Sequence, residues 1–204
     1  MSDVFKKYLV DRASLSHKEI EVIKSASNKI SLRRKQFLLQ EGEVCRHYAF
    51  VMKGCLRLYR VRQDKTEHIT RFAVANWWMS DTESIELQTP SKYYIEALES
   101  TDVLLWAKED MERITEDIPK FKALRERLIA RSHHTSLERI YTTISHSSEE
   151  KYEKFISTYP DIFNRVPLHM IASYLGLTRK TLSRIRAQHT KQNGNGASDL
   201  QIEL

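Results

Sequence analysis

Val166–Ala187 reads VPLHMIASYLGLTRKTLSRIRA, and its spacings describe two short helices joined by a tight turn. Pro167 suits a first helical position because it has no amide hydrogen to leave unbonded, and Ile171 and Leu175, four apart, share one face. Ala172 and Gly176 are small where two helices must cross closely, and Gly176 takes the left-handed conformation that ends a helix. Thr178 is placed to cap the second helix, on which Thr181, Leu182 and Ile185 share one side. Arg179, Lys180, Ser183 and Arg184 occupy the other, and no acid occurs from Thr178 to Lys191. A helix entering the major groove needs donors for base edges and phosphates, and the arginine fork matches guanine. A helical hairpin with a solvated basic face would carry the same cations. The conjunction of small residue, glycine, inward aliphatics and outward cations in one register points instead to a helix-turn-helix.

The expected contacts to double-stranded DNA are Thr178, Arg179, Lys180, Ser183, Arg184 and Arg186. Arg179, nearest the helix start, is the candidate for a base edge, because recognition helices present their first turns to the groove floor. Arg186 and Lys191 are assigned to phosphates.

The 204 residues are 41% apolar with a formal net charge of +6, enough chain for one large and one small soluble domain and consistent with a polyanionic partner. Neither a signal sequence nor a membrane-length apolar run is evident, so a cytoplasmic protein with no membrane partner is expected. Cys45 and Cys55 are too few for a four-thiolate cluster and are read as reduced, buried thiols. His47 and His68 lack the close His-x-His spacing of a metal-dependent jelly-roll enzyme, and His133, His134 and His189 carry no ligand spacing either. No cofactor or metal is assigned.

Outward from the C-terminal motif, Ser16 and Glu19 form a capping box ahead of Ile20, Ile23 and Ala26, which predicts a first helix there. From Ile30 to Ala107 the segments QFLLQ, HYAFVMKG, CLRLYRVR, HITRFAV, YYIEALE and DVLLWA read as short strands. Turn residues at Glu41 to Glu43, Lys53 to Gly54 and Gln63 to Lys65 argue for an antiparallel roll or jelly roll. The fold class is therefore α+β. From Lys108 helices return, and Pro119 starts a long one with Phe121, Leu124 and Leu128 as one apolar stripe and Leu137, Ile140 and Ile144 as another. Spacing alone leaves open whether this helix packs on its own roll or on a partner. Ser147 to Glu150 cap a further helix to about Tyr159. The tail HTKQNGNGASDLQIEL is polar and reads as frayed, without a full β-wing.

The segment VPLHMIASYLGLTRKTLSRIR resembles the DNA-reading segment of the Crp/Fnr family of bacterial transcription regulators, its Bacteroidetes-type branch in particular. In that family the recognition helix begins with Ser or Thr followed by Arg and carries a second Arg five positions on, here Thr178, Arg179 and Arg184; Lys180 departs from the acid usual there. LQEGE and FVMKGCLRLYRV resemble the family's effector domain, which is related to cyclic-nucleotide-binding domains.

The resemblance implies a cyclic-nucleotide-binding-like jelly-roll sensor over 1–118, a long dimerisation helix over 119–146 and a helix-turn-helix DNA-binding domain over 147–204. It also implies a homodimer on a pseudo-palindromic operator, with RNA polymerase as a further partner of any activator. The family's nucleotide cassette has a Gly-Glu pair and a later Arg-Ser/Thr-Ala, whereas no glycine lies between Gly54 and Gly176 here. Ser91 falls where the arginine would stand and bulky Tyr93 where the alanine would, so cAMP binding is not expected. The possible effector pocket is assigned to Trp77, Trp78, Ser91, Lys92 and Tyr93, for a small-molecule effector that the residues do not identify. The Trp pair either stacks on a planar ligand or fills the core, and core filling is preferred. The contrasting class is a metal-dependent, cupin-like jelly-roll enzyme with an incidental basic helical tail.

Overall fold

The structure, a computed structural model, describes residues 3–160, 162–163 and 165–195. It separates into two compact units, Met1–His134 and Thr135–Leu204.

The first unit opens with α1 (Asp3–Ala13) and α2 (His17–Ser25). In α1, which the sequence reading did not anticipate, Phe5, Tyr8 and Leu9 lie at helical spacing and are buried. The expected capping box starts α2: the Glu19 amide donates to the Ser16 hydroxyl at 3.3 Å and the Ser16 amide to the Glu19 carboxylate at 2.7 Å. That exchange holds the Glu19 carboxyl below its ordinary pKa, the hydrogen bonds from Ser16 being the cause.

Seven strands follow: β1 (Asn28–Leu32), β2 (Phe37–Leu39), β3 (His47–Lys53), β4 (Cys55–Val61), β5 (Glu67–Val74), β6 (Tyr94–Ala97) and β7 (Thr101–Ala107). They form two antiparallel sheets, β1-β7-β3 and β2-β6-β4-β5. Phe50, Leu56, Ile95, Val103 and Trp106 are fully buried in a core shared with α1 and α2. The Trp106 indole N–H donates to the Ile23 carbonyl at 2.7 Å, tying β7 to α2. Between β3 and β4, Gly54 has φ +97°, and a Cβ there would stand 2.6 Å from Thr101 Cα. Only glycine fits, because both the backbone angle and the space exclude a side chain.

A short helix, α3 (Thr82–Leu87), interrupts the strands, also unanticipated, and α4 (Lys108–Asp117) follows them. Pro119 then stands first in α5 (Pro119–Ser145), as expected. Phe121 and Leu124 are buried in the roll's core and Leu128 packs against it, so the first apolar stripe is occupied within its own unit. The second stripe is exposed: Leu137 by 52%, Ile140 by 56% and Ile144 by 80%.

The second unit contains α6 (Ser148–Thr158), α7 (Leu168–Leu175) and α8 (Arg179–Asn195). The Ser147–Glu150 capping box starts α6, the Glu150 amide donating to the Ser147 hydroxyl at 3.2 Å and the Ser147 amide to the Glu150 carboxylate at 2.7 Å. Phe155, Tyr159 and Tyr174 pack ring against ring, centroids 5.2 to 5.7 Å apart, over a core that includes Ile171, Leu182 and Ile185. Pro167 is the cap of α7 and not its first helical residue, its carbonyl accepting from the Met170 amide at 2.9 Å. The helix α8 continues through 189–195, where a frayed tail was expected; the rest of that expectation, 196–204, lies outside the described residues.

Candidate functional site

At the end of α7, Gly176 sits at φ 67° and ψ 30°. The Leu177 amide turns back to the Ala172 carbonyl at 2.9 Å, which closes the helix. Two residues later the Thr178 hydroxyl accepts from the Thr181 amide at 3.1 Å and caps α8. Ile171, Ala172 and Leu175 of α7, like Leu182 and Ile185 of α8, are buried, so the inner faces of the hairpin are apolar.

All six residues assigned to DNA are exposed: Thr178, Arg179, Lys180, Ser183, Arg184 and Arg186. Their partners separate them. The Arg186 guanidinium lies 4.9 Å from the centre of the Phe163 ring, a cation–π contact inside its own unit. Arg184 reaches Glu149 at 3.5 Å, an exposed pair of little energetic weight. Arg179 and Lys180 have no ion-pair or hydrogen-bond partner among the described residues. Both stand in the first turn of α8, which holds no acid. A helix N-terminus carries partial positive charge, so cations there are disfavoured by roughly 0.3 to 1 kcal/mol each unless an anion lies nearby. The arrangement suits a polyanion laid across the start of α8. The side chain of Lys191, also assigned to a phosphate, lies outside the described residues.

The residues assigned to an effector pocket fall into two sets of contacts. Trp78 joins Phe5, Phe50 and Trp106 with ring centroids 5.2 to 6.3 Å away, and its indole N–H donates to the Tyr8 hydroxyl at 3.2 Å. It fills the core. The half-buried Trp77 accepts the Val51 amide at its carbonyl, 2.9 Å away. Ser91 belongs to a different constellation. Its buried hydroxyl donates to the carboxylate of Asp81 at 2.6 Å, and Asp81, also buried, caps α3 by accepting the Ser84 amide at 3.3 Å. Tyr93 donates its amide to the Ser91 hydroxyl at 3.0 Å and places its ring under Arg60, while Lys92 is exposed.

Sequence reasoning also missed Arg57, the one arginine buried among the described residues. Its Nε donates to Glu96 at 3.0 Å and a second nitrogen pairs with Glu67, so its charge is already balanced by two carboxylates. The alternation of β4 and β6 contained the signal, because Arg57 and Glu96 are cross-strand partners. Near α3, the Cys45 amide donates to the Ser84 hydroxyl at 2.9 Å, and burial pushes the Cys45 thiol up from its usual pKa. Among the described residues no three His, Cys, Asp or Glu side chains gather as a metal site, and no helix is long and apolar enough to cross a membrane.

Two units with these parts define a class, a cyclic nucleotide-binding domain combined with a helix-turn-helix. Residues 29–117 match the cyclic nucleotide-binding domain family. The nitrogen fixation regulation protein FixK of Bradyrhizobium diazoefficiens is 26% identical over 202 residues, which cover 91% of this chain and 80% of FixK. The solved structure of FixK2 from Bradyrhizobium japonicum matches with a TM-score of 0.70 at 19% identity, over 82% of this chain and 86% of that one. A transcriptional regulator of the crp/fnr family from Eubacterium rectale matches at 0.66 and 17%, over 91% and 88%. The chain thus carries a cyclic nucleotide-binding domain, is similar in sequence to FixK and shares the fold of these solved regulators.

Proposed function

We propose that this protein is a sequence-specific, DNA-binding transcription regulator that acts in the cytoplasm as a homodimer on a pseudo-palindromic operator. Its sensor spans 1–118, its dimerisation helix 119–146 and its reader 147–204. The observation that carries the reading is the pair Arg179 and Lys180, exposed and without a partner among the described residues, at the start of a helix whose dipole disfavours them. FixK is named for regulation and the Eubacterium rectale protein for transcription, which supports the same reading.

The exposed apolar residues Leu137, Ile140, Tyr141 and Ile144 supply the surface for a second copy. The sensor answers an effector other than cAMP, since the buried Asp81 carboxylate holds Ser91 and the buried Arg57 is already neutralised. As an activator the dimer would also contact RNA polymerase. Selection of bound fragments from random double-stranded DNA tests the function: one enriched motif with two-fold symmetry is expected, and retention without enrichment would overturn it.

A further inference from the structure

Between the two sheets of the roll lies a cavity of about 440 Å³, within the range of roughly 300 to 1,000 Å³ of small-molecule sites. It shares no residue with the pocket assigned from the sequence. Its apolar wall is built from both sheets and from the segment before α3: Leu38 and Leu39 of β2, Ile95 of β6, Leu105 of β7, with Val44 and Met79. Every polar side chain of the lining comes from one continuous stretch, Glu43 to His47, so the cavity is apolar along its body and polar at one end.

The chemistry of that end selects a charge. Glu43 is engaged, its carboxylate accepting the Gln40 amide at 2.8 Å. The Cys45 thiol is buried and directed to the His47 carbonyl at 3.7 Å, leaving a neutral, weakly polar wall. Arg46 is exposed and has no ion-pair or hydrogen-bond partner among the described residues. The Glu43 carboxylate at the same end is turned to the Gln40 amide, whereas the Arg46 guanidinium is left to meet a ligand, and a guanidinium at the rim of an apolar cavity matches a carboxylate head on an apolar tail. At ~30 Å³ for each water displaced, the cavity equals roughly fifteen waters, which suits a tail of medium length.

We propose that this cavity is the effector site of the roll and that its ligand is a medium-chain carboxylate, held by its tail between the sheets and by its head on Arg46. The assignment deepens the sensor part of the proposed function, yet binding to the DNA-free protein tests it whether or not the operator reading holds.

Decanoate is the probe, titrated calorimetrically into the full chain below its aggregation concentration, with decanol as the uncharged control. Saturable, single-site decanoate binding is expected, about tenfold weaker in Arg46→Gln as for one lost charge-assisted contact and absent in Val44→Trp. In the unmodified protein, decanoate should slow alkylation of Cys45, read by peptide mass, more than that of Cys55, which is also buried but does not line the cavity. No saturable binding, or equal protection of both cysteines, overturns the site. Decanol binding as tightly as decanoate, with Arg46→Gln unchanged, overturns the head-group assignment.

Discussion

The Ser91 hydroxyl donates to the Asp81 carboxylate at 2.6 Å, with both residues buried. A carboxylate is thus built in beside the position where a cyclic phosphate would need a cation. cAMP and cGMP should show no heat of binding at physiological concentration in calorimetry. Micromolar affinity for either, lost on changing Asp81 or Ser91, would show that an anion enters there after all.

Arg179→Ala should leave the fold and dimer intact, since the side chain is exposed and has no partner among the described residues. Operator affinity should fall by roughly 1 to 3 kcal/mol, with relaxed preference at one position in each half-site. Arg186→Ala is a different experiment. It removes the contact to Phe163 and should lower thermal stability as well as affinity for all sequences. Unchanged affinity and preference in Arg179→Ala would remove α8 as the reader.

The two stripes of α5 should separate under mutation. Phe121→Ala opens a cavity in the roll and should cost roughly 3 to 5 kcal/mol of stability. Ile140→Glu, on an exposed position, should leave the monomer folded and shift sedimentation from dimer to monomer. An Ile140→Glu protein that remains dimeric would place the interface elsewhere. From periodicity these stripes are indistinguishable, because helical spacing records that a face is apolar and not which chain covers it.

Similar limits explain what else was and was not legible. Both capping boxes and six of the seven strands were readable, since Ser16, Ser147 and the β-branched and aromatic runs act through local geometry, whereas β1, Asn28–Leu32, alternates too weakly to stand out. The first helix was hidden because Val4 and Val10, 42% and 44% exposed, blur the stripe of Phe5, Tyr8 and Leu9. α3 has only six residues, and its capping Asp81 makes sense only once Ser91 is brought beside it. The contacts of the pocket residues were not legible for the same reason: the roll turns Trp78 into the core and Ser91 toward α3. In the helical second unit, the order of the side chains on α8 was legible, whereas the contact of Arg186 with Phe163 depends on how the segment between α6 and α7 lies against α8.

Asp102 on β7 accepts from Ser31 at 2.6 Å and from Lys29 at 3.1 Å, and these contacts, Ser31 foremost, hold its carboxyl below the usual range. A native pKa below the unfolded one contributes stability that is complete above the unfolded value, about 3.9, and lost as pH falls through the native one. Partial exposure limits the contribution to under about 1 kcal/mol. Urea midpoints should therefore fall less between pH 6 and pH 3 in Asp102→Asn than in the parent. Parallel curves would mean the pair contributes nothing.

Two glycines should respond unequally to alanine. Gly176 has open space around its Cβ position, so the left-handed backbone alone should set the cost, about 1 to 2 kcal/mol. At Gly54 the added carbon also strikes Thr101, and the loss in melting temperature should be clearly larger. Equal losses would show that the β3–β4 turn relaxes away from Thr101.

The cations at the start of α8 have a consequence for how affinity divides from selectivity. Because Arg179 and Lys180 are held against the dipole of their own helix, the unbound protein is electrostatically frustrated there, and under the proposed function any phosphate chain would relieve it. That relief is blind to sequence. It would contribute equally to an operator and to every competing stretch of the genome, and it would fade with added salt. Discrimination would then come from the smaller part of the binding energy that Arg179 and its neighbours gain at base edges, so a variant with greater positive charge on this helix would bind DNA more tightly and regulate less selectively.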